Sequence, residues 1–281
     1  MAKKVMVTTE SASDLSKELI ERYNIKIVPL GINLGDDSRI DGVDVFPKDI
    51  YEYVEKTSKI PTTSAVAPMQ YTEFFEPFLK DGYEIIHVCI SSRISSCYQN
   101  AVIAASELEG VQVVDSLSLS TGIGLLAIEA AVMAQDGKNV SEIKQRLDEL
   151  KTKLQVSFVL NTLTYLHKGG RCSAVAVLGA NLLKLRPCIE MTGSMGVGKK
   201  YRGAHMDVLL EYVKNKLEQF PKVKKDRIFI THSGIDREFI DAVQDYIKSQ
   251  NLFDEILITT AGSTISNHCG PGTLGILYIY E

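Results

Sequence analysis

Serine, threonine and histidine recur in this 281-residue sequence where short apolar runs end, and in α/β proteins such places present side chains to ligands. Residues 8–14, Thr-Thr-Glu-Ser-Ala-Ser-Asp, join hydroxyls to the start of an expected helix, which either receives an anion or is simply capped. Residues 61–68 run between two prolines and hold Thr63 and Ser64 in a stiff, extended stretch, as a site or as ordinary turn chemistry. Residues 90–99 contain Ser91, Ser92, Ser95 and Ser96, more serines than one cap uses. Ser95 is expected near a helix start, where its hydroxyl and the free backbone N–H groups suit a carboxylate oxygen. Residues 262–272 place His268 ahead of a Gly-Pro-Gly turn, as a structural histidine or as a donor. Residues 166–171 present Lys168 and Arg171 on a glycine turn, at a site or as a solvated basic loop.

Other chemistries are poorly served. Gly193, Gly196 and Gly198 do not lead from a strand into a helix, so they form neither a dinucleotide fingerprint nor a phosphate loop. Asp36, Asp37, Asp41 and Asp44 flank turns without ligand-spaced partners, and solvated loops are expected there, with no metal. Cys89, Cys97, Cys172, Cys188 and Cys269 are scattered, which fits reduced thiols in a cytoplasm without zinc. The formal net charge of −4, with no Lys/Arg block, argues against a nucleic-acid surface. The start lacks a signal-peptide core, and no apolar stretch reaches the ~20 residues of a membrane span, so stable membrane insertion is not expected.

The elements that must position these residues read as an α/β protein of two domains, 1–153 and 154–281. In the first, strands at 4–9, 25–30, 84–90 and 111–115 alternate with helices at 13–23, 47–57, 69–80 and 95–108. This favours a mostly parallel sheet flanked by helices, with further helices at 122–135 and 141–153. In the second, strands are expected at 156–161, 227–232, 255–260 and 274–280, and helices at 175–185, 206–219 and 238–249. A hairpin is centred on 193–198 and a loop on 165–170. The second sheet is more α+β in style, with a ligand cleft between the two domains.

Read in order, Thr9-Glu10-Ser11-Ala12-Ser13-Asp14-Leu15, Thr63-Ser64, Ile90-Ser91-Ser92 with Ser95, Val114-Asp115-Ser116, Lys168-Gly169-Gly170-Arg171, Lys184-Leu185-Arg186-Pro187, Arg202-Gly203 and His268-Cys269-Gly270-Pro271-Gly272 resemble the DegV family. The resemblance runs from about residue 5 onward. It implies two α/β domains clasping a long-chain fatty acid, in a cytoplasmic protein that serves as the binding subunit of a bacterial fatty acid kinase. In that arrangement a separate ATP-dependent kinase phosphorylates the carboxyl group, and the binding subunit performs no catalysis and needs no cofactor. By position, Thr63 and Ser95 bond the carboxylate, with His268 beside them and Ser64 and Ser96 adjoining. Arg171 and Arg202 match family arginines on the head-group or kinase-facing side. The chain departs from the family pattern at Glu10, at Ala65 and Val66, and at Ser96 and Cys97.

The physical case is that ~14 buried methylenes at ~0.8 kcal/mol each contribute roughly 11 kcal/mol before ordering costs. A buried carboxylate needs hydrogen-bond donors, and Thr63, Ser95 and His268 supply three from separate loops, with charge added if His268 is protonated. The apolar runs at 122–133 and 175–185 are candidates to line the tail, or merely make core. Two other readings stand beside this one. One is a lipid or carboxylate carrier or sensor uncoupled from any kinase. The other is a hydrolase with Ser95 as nucleophile, His268 as base and Asp115 as orienter, although no G-x-S-x-G elbow surrounds any serine.

Overall fold

The computed structural model describes residues 4–176, 185–220 and 222–281. Strands β1 (Val5–Glu10), β2 (Lys26–Val28), β3 (Gly31–Leu34), β4 (Asp37–Ile40), β5 (Thr62–Ser64), β6 (Glu84–Cys89) and β7 (Val111–Asp115) come first. They are followed by β8 (Leu154–Val159), β9 (Arg186–Met191), β10 (Met195–Tyr201), β11 (Val223–Ser233), β12 (Glu255–Thr260) and β13 (Thr273–Tyr280). The apolar runs of β1, β6 and β7 pair in parallel in the order β2-β1-β6-β7, the sheet type whose strands are covered on both faces. Helices Pro68–Lys80, Cys97–Ser106, Thr121–Gln135 and Val140–Leu150 pack on it.

The second sheet has the order β10-β9-β8-β13-β11-β12 and is antiparallel except between β11 and β12. Its alternation sends Val159, Ile228, Ile230, Leu274, Ile276 and Tyr278 into one core with Val208, Leu209 and Tyr212 of helix His205–Gln219. The opposite face sends Val156, Phe158, Ile189, Phe229 and Leu277 toward the parallel sheet's core, so the two sheets share one hydrophobic cluster. The chain is therefore a mixed α/β protein with one parallel and one mixed sheet.

Several expectations change. The helix expected at 13–23 is only Lys17–Arg22, capped by Ser16, because Asp14 takes a left-handed turn with φ 51° and stops any earlier start. Residues 31–40 and 62–64 build a small antiparallel sheet, β4-β3-β5, where the sequence suggested loops. The 165–170 loop is the helix Thr164–Gly169, closed by Gly170 at φ 68°. The helix expected at 175–185 falls largely outside the described residues, as does Lys184. Among the described residues no helix is long and apolar enough to cross a membrane.

Candidate functional site

Where the ends of the parallel strands meet the inner face of the second sheet lies a cavity of about 210 Å3. Leu30, Ala65, Ile90, Ile94, Leu119, Phe158, Leu166, Met195, Ile265 and Leu277 give it apolar walls. Thr63, Ser64, Ser95, Ser96 and His268 bring polar groups, and Arg171 is its one side chain of permanent charge among the described residues. Three of the hydroxyl-rich segments thus converge from distant parts of the chain. The fourth, residues 8–14, does not line it: Thr9 Oγ1 donates to Val88 O at 2.7 Å and Thr8 Oγ1 pairs with His87 Nδ1 at 2.8 Å.

β5 carries Thr63, and helix Ser263–Cys269 carries His268; Thr63 Oγ1 and His268 Nε2 lie 3.1 Å apart. Burial and the nearby Arg171 guanidinium push the imidazole down to about 4, so it is neutral at physiological pH and supplies no charge. Among the described residues its Nδ1 has no hydrogen-bond partner, so a proton there would be unsatisfied and Nε2 is the better place for it. Nε2–H then donates to Thr63 Oγ1, which frees the threonine hydroxyl to donate into the cavity. The ring packs on the backbone of Gly169, where a Cβ would come within 2.4 Å of Nδ1. Arg171 turns back over the same loop and donates to Gly169 O at 2.9 Å.

Ser96, not Ser95, occupies the N-cap position of helix Cys97–Ser106, and Ser95 Oγ accepts from Cys97 N at 3.2 Å. Ser95 therefore keeps a hydroxyl hydrogen to donate. The loop before it is fixed from beneath: Glu10, fully buried, takes Ile90 N on Oε2 at 2.8 Å and the Tyr71 hydroxyl on Oε1 at 2.6 Å. Ser64 and Ser96 are exposed at the rim. Lys168 reaches away to Ser58 O at 3.1 Å, and Arg202 is exposed beyond β10 and does not line the cavity.

The short histidine-bearing helix is held by two carboxylates from the other end of the chain. Asp14 Oδ1 accepts from Gly262 N at 2.8 Å, and Asp41 accepts from Ser263 N at 2.9 Å and Thr264 N at 3.2 Å. These satisfy the helix's free N–H groups with carboxyl oxygens as acceptors at its N-terminus. Asp41 is only 3% exposed, so the solvated loop expected for it is wrong; its pairing with the helix draws it inside. Asp14 also accepts from Ser120 Oγ at 2.5 Å, and burial, reinforced by Asp41, pushes its acid up to about 8. Neither aspartate has a local sequence signal for this role.

Geometry decides between two pairs of alternatives left open by the sequence. Helix Thr121–Gln135 contributes no lining residue, because its faces are taken up by packing; only Leu119 and Ser120, just before it, reach the cavity. A Ser95–His268–Asp115 triad is not assembled. His268 Nε2 is paired with Thr63, its Nδ1 is unpartnered, and Asp115 Oδ1 accepts instead from Ser92 N and Leu117 N at 3.2 and 3.0 Å.

A family model described as "uncharacterised protein, DegV family" matches residues 4–281. A DegV domain-containing protein of Clostridium perfringens is 30% identical over 284 residues, spanning 99% of both chains. Two solved structures superpose along the whole chain. A fatty-acid-binding DegV family protein from Thermus thermophilus has a TM-score of 0.88 at 27% identity, covering 99% of this chain and 100% of that one. A stearic acid-binding protein from Eubacterium ventriosum has a TM-score of 0.86 at 26% identity, covering 100% and 98%.

Proposed function

This chain belongs to the DegV family, and we propose that it buries one long-chain fatty acid in the cavity, with the carboxylate bonded by Thr63 and Ser95 and with His268 behind Thr63, orienting its hydroxyl. The observation that carries this reading is the apolar cavity with hydroxyl donors and one arginine gathered at it from separate loops. An acyl chain gains by leaving water, and the head group it drags along is acceptable only where donors replace its hydration. Thr63 has its hydroxyl freed by His268, Ser95 has an unused hydrogen, and Arg171 adds charge at the rim. The fatty acids named for the Thermus thermophilus and Eubacterium ventriosum proteins support the same ligand class.

We further propose that the carboxylate is presented to a separate ATP-dependent kinase, which forms the acyl phosphate while this chain keeps the tail dry and makes no bond itself. The setting is the cytoplasm of a bacterium, and the two domains divide between Lys153 and Leu154, where the chain leaves the parallel-sheet half for β8. Arg202, exposed and away from the cavity, suits contact with the kinase, and Arg171 the head-group side. The neutral state of His268 matters here. A charged imidazole would add a second cation to that of Arg171, hold the carboxylate more tightly and make it a poorer nucleophile toward the incoming phosphoryl group.

Native and denaturing mass spectrometry of the purified protein tests the ligand: one non-covalent fatty acid per chain is expected. A protein that arrives empty and takes up no added fatty acid would reject the reading. Trapping of acyl phosphate in the presence of the kinase and ATP tests the coupling. Loaded protein that never yields acyl phosphate would leave the uncoupled carrier in its place.

A further inference from the structure

On the inner face of the second sheet, register places Thr231 of β11, Gly275 of β13 and Phe158 of β8 side by side in one row. Thr273 and Leu277 stand two residues away on either side of Gly275, so their side chains share its face. All five line the cavity. Gly275 is thus the floor of a trough walled by four side chains. The gap is a backbone requirement, since a Cβ at 275 would lie 2.8 Å from Ser157 O and 3.0 Å from the Phe158 Cβ.

The trough is apolar in effect although two of its walls are threonines. Thr231 Oγ1 is engaged with Thr121 Oγ1 at 2.6 Å and Thr259 Oγ1 at 3.1 Å, and Thr273 Oγ1 donates to Cys269 O at 3.0 Å. Hydroxyls already paired inside the protein present methyl groups rather than donors. The trough's five residues therefore offer no free hydroxyl donor, whereas Thr63 and Ser95 keep theirs, so the head group is drawn to Thr63 and Ser95 and not to the trough.

We infer that the trough over Gly275 beds the distal part of the acyl chain, and that Phe158 is the residue that determines how long a chain is accepted. This rests on the fatty-acid reading above. Phe158 is the largest of the four walls, and it is the wall nearest the glycine gap. Shortening it extends the trough along the row toward Ile189 of β9, its neighbour in register and itself buried and apolar. Every methylene newly buried is worth ~0.8 kcal/mol, about a fourfold preference, so two added carbons amount to more than about tenfold.

The test is competitive loading. Wild type, Phe158→Leu and Phe158→Ala are incubated with an equimolar mixture of saturated C12–C20 fatty acids, freed of unbound lipid, and their extracted ligands are quantified. The bound ratio of C20 to C14 is expected to rise at least tenfold in Phe158→Ala and by a smaller factor in Phe158→Leu, which guards against a misfolded alanine variant. Unchanged ratios in loaded, folded variants overturn the role of Phe158 and leave the fatty-acid reading standing. A wild type that takes up none of the mixture defeats that reading, and this inference with it.

Discussion

Helix Thr121–Gln135 starts at the cavity and helix Ser263–Cys269 ends at it, yet they are held by opposite means. The first has no side-chain cap and no acidic residue in its first turn; it stays in place because Ile123, Leu125, Leu126 and Ile128 are at most 1% exposed. The second is seven residues long, too short to hold its shape unaided, and is pinned at its N-terminus by Asp14 and Asp41. The apolar helix supplies mass and no lining, whereas the pinned helix supplies His268. Burial anchors what need not be aimed. Directional hydrogen bonds aim what must be.

The sharpest challenge to this contrast is a pair of substitutions that cost stability in different ways. Ile128→Ala, in the apolar helix, is expected to lose about 2–5 kcal/mol of unfolding free energy, read from urea titration, with fatty acid affinity per folded molecule unchanged. A large affinity loss there would mean the helix aims the site after all. Asp41→Ala strips acceptors from Ser263 N, Thr264 N and Ser11 Oγ, and is expected to cost about 1–3 kcal/mol. In that variant fatty acid retention should fall further than unfolding alone explains; retention that simply tracks the folded fraction would contradict the aiming role.

Thr63→Ala removes a single donor at the partly exposed rim of the cavity. Because it also leaves the buried His268 Nε2–H without its acceptor, it should cost about 1–3 kcal/mol of unliganded stability and weaken fatty acid binding per folded molecule by about five- to tenfold. Equal affinity by competitive displacement would remove Thr63 from the head-group site.

The same contrast has a pH signature. The His268 imidazole is lowered to about 4, below its ordinary 6.5, so its contribution to stability is present above about 6.5 and lost as pH falls through 4. Asp14 has the opposite sign. Its acid is raised from 3.8 to about 8, so its contribution is full at low pH and is lost as pH rises through 8. Asp14→Asn should therefore gain on wild type as pH rises from 3.8 to about 8 in thermal melts, and His268→Gln as pH falls from 6.5 to about 4. Parallel pH curves for wild type and Asp14→Asn would place that carboxylate's charge elsewhere.

Much of the fold was legible because long elements carry strong periodic signals. Helix Pro47–Thr57 was read to the residue, since Pro47 sits at its first turn and Ser58 closes it in a left-handed conformation. β12 was read equally well. The small sheet was missed because its strands are three or four residues long and largely polar, so Asp37–Ile40 has no alternation to read. Residue type and position after a strand pointed to Thr63, Ser95 and His268 as polar candidates, and these three do meet at one cavity. What no local pattern contains is their support. The carboxylates that hold the His268 helix are separated from their partners by 248 and 222 residues, and Glu10 is 80 residues from the amide it holds.

Those separations also set a timetable for biosynthesis. At ~5–20 residues per second, the 248 residues between Asp14 and Gly262 take roughly 12–50 s to translate. From about residue 115 onward the parallel strands have all their own partners, while Asp14 and Asp41 wait without the helix they clamp. β13, which lies between β8 and β11, emerges later still. A nascent chain thus has every strand of the parallel sheet long before it has a cavity, since the cavity's walls are complete only once Leu277 has left the ribosome.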